Sequence, residues 1–123
     1  MRPMARTLLS QEEVKAVAAQ VEKLPAAHPK RTLAGDAARG KGLFAPCAAC
    51  HGERATGTKE KGAPSLHGTG DWYLLAQLKK FKSGVRGAGP GDVTGAQMRP
   101  MAATLTDEQA MKDVIAYIQT LEP

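Results

Sequence analysis

Cys47-Ala48-Ala49-Cys50-His51 holds both cysteines of this chain and one of its three histidines. Cys-x-x-Cys-His is the attachment sequence of c-type haem. In that chemistry the two thiols add to the vinyl groups as thioethers, and the adjacent histidine is delivered to the iron. The two residues between the cysteines, read here as loop, set the reach of the thiols. A zinc site would need a second ligand pair at metal spacing, and only His28 and His67 remain to supply one. A redox dithiol would want a βαβ context, and none is visible.

Outward from this pentapeptide, composition is consistent with a haem protein. The chain has 123 residues, room for one ordinary domain, and only 4% of them are aromatic. A buried porphyrin would supply apolar bulk that so few rings cannot. The net charge of +5 permits steering towards an acidic partner surface. The basic residues are scattered, with no aromatic-interleaved stripe or reader motif, so nucleic acid is not expected as a partner. No run of 18 apolar residues occurs, so no membrane span is expected. Met1 to Leu9 lacks the apolar stretch of a secretory signal. Because covalent haem attachment in bacteria takes place outside the cytoplasm, the expected location is nonetheless the periplasm, with the export signal absent from this chain.

The chain repeats itself. Met1-Arg2-Pro3-Met4-Ala5-Arg6-Thr7-Leu8 returns as Met98-Arg99-Pro100-Met101-Ala102-Ala103-Thr104-Leu105, an offset of 97 with seven of eight residues identical. Carried through Leu24 and Leu121, the count is 11 identities in 24. The apolar positions Val14, Val17, Ala18, Val21 and Leu24 fall on Met111, Val114, Ile115, Ile118 and Leu121, so both copies predict an amphipathic helix. Ser10 with Glu13 forms a capping box for the first, and Thr106 with Gln109 for the second. Pro25 and His28-Pro29 end the first helix. Residues 1–33 therefore read as the tail of a preceding domain, and residues 34–123 as one complete domain.

Within that domain Asp36 is expected to cap a short helix running to Phe44, whose Gly40 and Gly42 suggest close approach of another helix. Gly52 to Gly70 reads as loop. Asp71 is expected to cap a helix that buries Trp72, Leu74, Leu75, Leu78 and Phe81 and wets Lys79, Lys80 and Lys82. Ser83 to Gly95, with five glycines, is expected to be irregular, and no phosphate-binding pattern occurs in it. An iron held by His51 has a second axial position, for which Met98, Met101, Met111 and His67 are candidates. Met111 falls on the core face of the last helix, where packing explains it.

On these residues the chain resembles the class I cytochromes c, and among them the small domains of the tandem, di-haem cytochrome c4 type. The resemblance spans residues 34–123: Gly40 and Phe44, the haem pentapeptide, Ala63-Pro64-x-Leu66, Trp72-Tyr73 through Phe81-Lys82-x-Gly84, a methionine loop, and Leu105-Thr106-Asp107-Glu108 with Tyr117. It implies an all-α fold of three to five helices around one covalent haem c, with an extra N-terminal helix here. It implies that the Pro64 carbonyl accepts the other ring N–H of His51, and that Gly40, Phe44 and Tyr117 mark a helix crossing. It also implies that Met98, seven residues before Leu105, is the iron ligand, with Met101 as the alternative. Trp72, Tyr73 and Arg86 are candidate donors to the haem propionates.

The implied function is one-electron transfer with redox protein partners, not catalysis. The alternatives are the cytochrome part of a larger dehydrogenase or oxidase, or a haem sensor. The N-terminal helix, if it lacks its own domain, must bury its apolar face on this domain or in a dimer.

Overall fold

The longest helix begins where Asp36 turns its carboxylate onto the backbone N–H groups of Ala38 and Arg39, at 2.9 and 3.2 Å, satisfying two donors that a helix start leaves bare. In the computed structural model, which describes residues 2–25 and 29–121, all the regular elements among those residues are helical. They are α1 (Arg2–Ala5), α2 (Gln11–Glu22), α3 (Ala37–His51), α4 (Asp71–Lys82), α5 (Val93–Ala103) and α6 (Glu108–Ile118), with a 3-10 turn at Lys59–Lys61. Met1 and His28 lie outside the described residues.

Helix α3 does not stop at Phe44. It continues through Pro46 and carries the haem pentapeptide as its last turns, so the two residues between the cysteines are helical. Pro46 lacks the N–H that would reach Gly42. Gly42 has nothing within 4 Å of where a Cβ would stand, so it marks no helix crossing. Gly40 does: its Cβ would lie 1.9 Å from the Asp113 carbonyl oxygen on α6. The Phe44 and Tyr117 rings meet beside it, centroids 5.5 Å apart and tilted by 56°. Gly40, Phe44 and Tyr117 thus form the expected α3–α6 crossing.

The core is filled by Phe44, Leu74, Leu75, Leu105 and the inner face of α6, Met111, Val114, Ile115 and Ile118, all buried. Asp113, on the same helix, is completely buried and accepts from the Asp36 backbone N–H (2.9 Å) and the Gln109 amide (2.8 Å). The Arg39 guanidinium stands 3.2 Å away. The Asp36 N–H bond first, then Gln109 and the Arg39 charge, hold the Asp113 carboxyl below its ordinary range against the opposing effect of burial.

Three expectations need correction. The last helix is capped by Asp107, which accepts from Ala110 N–H at 2.8 Å, and not by Thr106; Gln109 is engaged with Asp113. Asp107 lies at the offset of 97 from Ser10, whose capping box with Glu13 is present, so the two caps share one register. Asp71 is the first residue of α4, not its cap, and its buried carboxylate instead accepts from Thr32 N–H (2.5 Å), Leu33 N–H (2.8 Å), the Thr32 hydroxyl and its neighbour Trp72 N–H. It fastens the segment preceding α3 to α4. Trp72 is 62% exposed and not core, while Leu74, Leu75 and Phe81 are buried as the periodicity requires.

Helix α5 also starts earlier than the glycine content suggested, at Val93, inside the Ser83–Gly95 stretch. Asp92 caps it through Gly95 N–H at 2.9 Å, a contact so close that a Cβ on Gly95 would overlap the carboxylate. Met98 and Met101 therefore lie on a helix, not in a loop.

Candidate haem-binding site

His51 is the final residue of α3 and is buried. The chain then doubles back. Gly57 N–H donates to the His51 carbonyl at 2.8 Å, Thr58 and Ala63 exchange backbone bonds, and Leu66 N–H donates to the Ala55 carbonyl at 2.9 Å. Gly57, with a φ of +86°, has Pro64 and Ser65 backbone 2.5–2.7 Å from where a Cβ would be, so only glycine lets the returning strand pass. The result is a Pro64 carbonyl 2.9 Å from His51 Nδ1. A carbonyl can only accept, so Nδ1 carries the proton and donates. The Nε2 lone pair is thereby left for a metal.

Cys47 and Cys50 lie one turn apart on the same helix as His51. Cys47 is half-buried and Cys50 exposed. Burial pushes the Cys47 thiol up from its ordinary range, with a backbone hydrogen bond acting the other way. Cys47 opens onto an apolar cavity whose walls include Leu66, Leu74, Leu78, Phe81, Leu105, Ile115 and Ile118. Val114, Met101 and Gln77 complete the lining. Cys47 on the wall of an apolar cavity that also carries a thioether, with Cys50 and the pre-oriented His51 imidazole within the next turn of the same helix, is a donor set that fits haem c.

The other expected residues fall as follows. Met98 is half-buried on α5, one helical turn before Met101, and does not line the cavity. Met111 is buried packing. His67 Nε2 is engaged with the Arg54 carbonyl, and its ring is not on the cavity wall. Trp72 and Tyr73 stand exposed, edge to face at 5.8 Å, outside the cavity. Arg86 lies over the Phe81 ring at 4.5 Å and donates to Gln77 Oε1 at 2.8 Å. Of the lysines expected on the wet side of α4, Lys79 pairs with Glu108 at 2.5 Å, and Lys82 donates to the carbonyls of Leu105 and Thr106. Those contacts tie α4 to the α5–α6 turn. Two residues at the site escaped notice in the sequence. Gln77 sits three after Leu74 and four before Phe81, so it shares the buried stripe and could have been found by its spacing. Lys61, whose ammonium meets the Ala49 carbonyl within the pentapeptide, comes from the short 3-10 turn and carries no such signal.

An all-helical domain with this histidine, these cysteines and this cavity defines a class I c-type haem protein. Comparison with known proteins agrees: the cytochrome c family profile matches residues 37–122, and the chain belongs to that family. It is 35% identical over 92 residues to cytochrome c4 of Azotobacter vinelandii, a match covering 73% of this chain and 43% of that protein. It is 37% identical over 89 residues to cytochrome c-554(548) of Halomonas halodenitrificans, covering 72% of this chain and all of that protein. A third relative is the thiosulfate dehydrogenase electron acceptor of Stutzerimonas stutzeri, 36% identical over 113 residues, with 83% and 51% covered. The chain spans about two fifths of the length of the cytochromes c4 it matches, as expected of a single c4-like domain. Haem c is its cofactor, Cys47 and Cys50 stand at the spacing of a haem-attachment sequence, and haem-based electron transfer is the business of its family. No helix among the described residues is long and apolar enough to cross a membrane.

Proposed function

We propose that this protein is a one-electron carrier in the bacterial periplasm, not itself an enzyme, with a single haem c ligated by His51 and a methionine. The observation that carries this reading is the 2.9 Å contact between His51 Nδ1 and the Pro64 carbonyl. It supports a fixed imidazole whose other nitrogen serves the iron and whose basicity is raised by the bond. Bound in that position, the haem supplies a reversible Fe(III)/Fe(II) couple. Thioether ligation favours the reduced iron and a high potential.

The resemblance to cytochromes c4 favours Met98 as the sixth ligand, and the lining of the cavity by Met101 favours the alternative. Both side chains leave one face of α5, being three residues apart. Trp72 and Tyr73, at the exposed start of α4, are the proposed donors to the haem propionates, while Arg86 is already engaged with Gln77. We further assign residues 1–33 as the counterpart of the end of a cytochrome domain and 34–123 as the haem domain. The match to the thiosulfate dehydrogenase electron acceptor supports this, since 83% of 123 residues is about 102, more than residues 34–123 can supply. The positive charge would suit a redox partner with an acidic docking surface, and the bare face of α2 would allow a dimer. A second reading, the cytochrome component of a larger oxidase or dehydrogenase system, draws on the likeness to that electron acceptor and, at 38% identity, to a cbb3-type oxidase subunit FixP.

The test is optical. The oxidised holoprotein should show the weak red band of thioether-ligated ferric haem, and the reduced form should resist carbon monoxide. Met98→Ala should abolish the band and open the iron to carbon monoxide, with Met101→Ala retaining both properties. The reverse pattern would transfer the ligand role to Met101, and carbon monoxide binding by the unmodified protein would overturn His/Met ligation.

A further inference from the structure

Thr94, Met98 and Met101 stand at the i, i+4, i+7 spacing on α5, so one face of that helix carries both candidate axial methionines and, a turn before them, a threonine. Thr94 meets the opposite side of the site. Gly62, with a left-handed φ of +63°, ends the 3-10 turn Lys59–Lys61, and a Cβ on it would lie 2.6 Å from the Thr94 Cγ2 methyl. Glycine alone allows both the conformation and the approach. The turn belongs to the histidine side. Thr58 and Ala63 bridge across it, the Lys61 ammonium meets the Ala49 carbonyl of α3, and Pro64, two residues after Gly62, receives the His51 N–H. The start of α5 is equally fixed: Asp92 caps it, and a Cβ on Gly87 would stand 2.3 Å from the Gly95 carbonyl oxygen. Helix α3 packs mainly on α6, and α5 on α4. The approach of Gly62 to Thr94 therefore joins the segment that holds the histidine to the one that carries the methionines.

We propose that the Gly62–Thr94 contact is a stop that sets how far the methionine face of α5 stands from the histidine loop, and so keeps the sixth position of the iron closed to outside ligands. This rests on the His/Met reading given above. Carbon atoms repel steeply inside van der Waals distance, and a gap between them forfeits attraction. Two rigid segments that meet at one point therefore have one preferred spacing. A methionine held at bonding distance by that spacing outcompetes an external base, and one displaced from it does so less well. Neither Gly62 nor Thr94 lines the cavity, so both are positioning residues.

The experiment is a titration of the ferric holoprotein with imidazole, in which loss of the red methionine band reports displacement of the ligand, alongside the urea midpoint of each variant. Gly62→Ala should raise the apparent affinity for imidazole about tenfold, the scale of one overpacked contact. Thr94→Ser removes the methyl alone and should raise it by less, roughly threefold. It decides the matter by itself if Gly62→Ala takes up no haem. The double variant returns a methyl to the gap from the opposite side, so its affinity should fall below that of Gly62→Ala, and the two effects should not add. Met111→Ala, a buried change away from the cavity wall, should lower the urea midpoint and leave the imidazole affinity as it was. Unchanged affinity in both single variants would overturn the proposal. So would a double variant as labile as Gly62→Ala, which would assign the effect to the backbone of residue 62. An equal gain in Met111→Ala would also overturn it, by assigning the effect to lost stability. Failure of the His/Met reading shows separately, as absence of the band in the unmodified protein.

Discussion

Helices α2 and α6 are two copies of one pattern in very different circumstances. They occupy the same stretch of the 97-residue repeat, Gln11–Glu22 against Glu108–Ile118, and are capped at equivalent residues, Ser10 and Asp107. On α6, Met111, Val114, Ile115 and Ile118 are no more than 6% exposed. On α2, the corresponding Val14, Val17 and Val21 are 43–59% exposed. Each fully buried aliphatic side chain contributes about 1.5–3 kcal/mol, so α6 gains from four such residues what α2 forgoes. The difference lies in α3, which offers α6 a glycine to approach, a ring for Tyr117 and a backbone N–H for Asp113. At the offset of 97, α2 has Gln20 in place of Tyr117 and Ala16 in place of Asp113. It lacks the groups that bind α3 and could not replace α6 there on equal terms.

The comparison breaks most completely at Gly40. Gly40→Val would drive side-chain atoms into the Asp113 backbone, and we expect a loss of about 3 kcal/mol or more, with failure to incorporate haem, read by denaturant unfolding and haem absorbance. The same change at Gly42, where a Cβ meets open space, should cost far less. Next comes a matched pair of substitutions. Val114→Ala should destabilise the domain by roughly 2 kcal/mol, whereas Val17→Ala should stay within about 0.5 kcal/mol, both read from the urea midpoint of the haem signal. An equally large effect at Val17 would mean that α2 is covered in solution.

The third effect is the most particular to α6. Asp113 and Asp71 both have carboxyls held below the ordinary range in the folded chain, so the folded state binds fewer protons than the unfolded one as pH falls. Their contribution is fully present above about pH 4, the unfolded range, and is lost as acidification carries the solution down through the folded values. Asp113→Asn should cost about 1.5–3 kcal/mol at neutral pH, the range for hydrogen bonds to a charged group. It should also flatten the decline of thermal stability as pH falls below about 4. Because Ala16 stands at the equivalent place on α2, no comparable acid-sensitive link exists there.

Much of this was legible in advance because it is local or compositional. The pentapeptide names its cofactor, the 97-residue repeat aligns two helices, and Leu74, Leu75 and Phe81 declare a buried face by spacing. What failed had rival local signals. Pro46 and Pro100 argue against helix, yet α3 and α5 run through both. Trp72 is apolar enough to be core, yet it begins α4 at the solvent edge while Asp71 beside it turns inward to bind Thr32 and Leu33.

By itself the sequence determined the haem chemistry, the helical class and the likeness of α2 to α6, since each depends on residue identity and spacing along one chain. Only the tertiary structure decided which copy is buried, that Met101 and not Met98 faces the cavity, and that Gln77 reaches it with its oxygen already engaged. Those outcomes depend on which surface lies opposite. A helical stripe specifies that a face is apolar, and the partner that covers it is set by close approach, as where Gly40 admits Asp113 and where nothing among the described residues covers Val17.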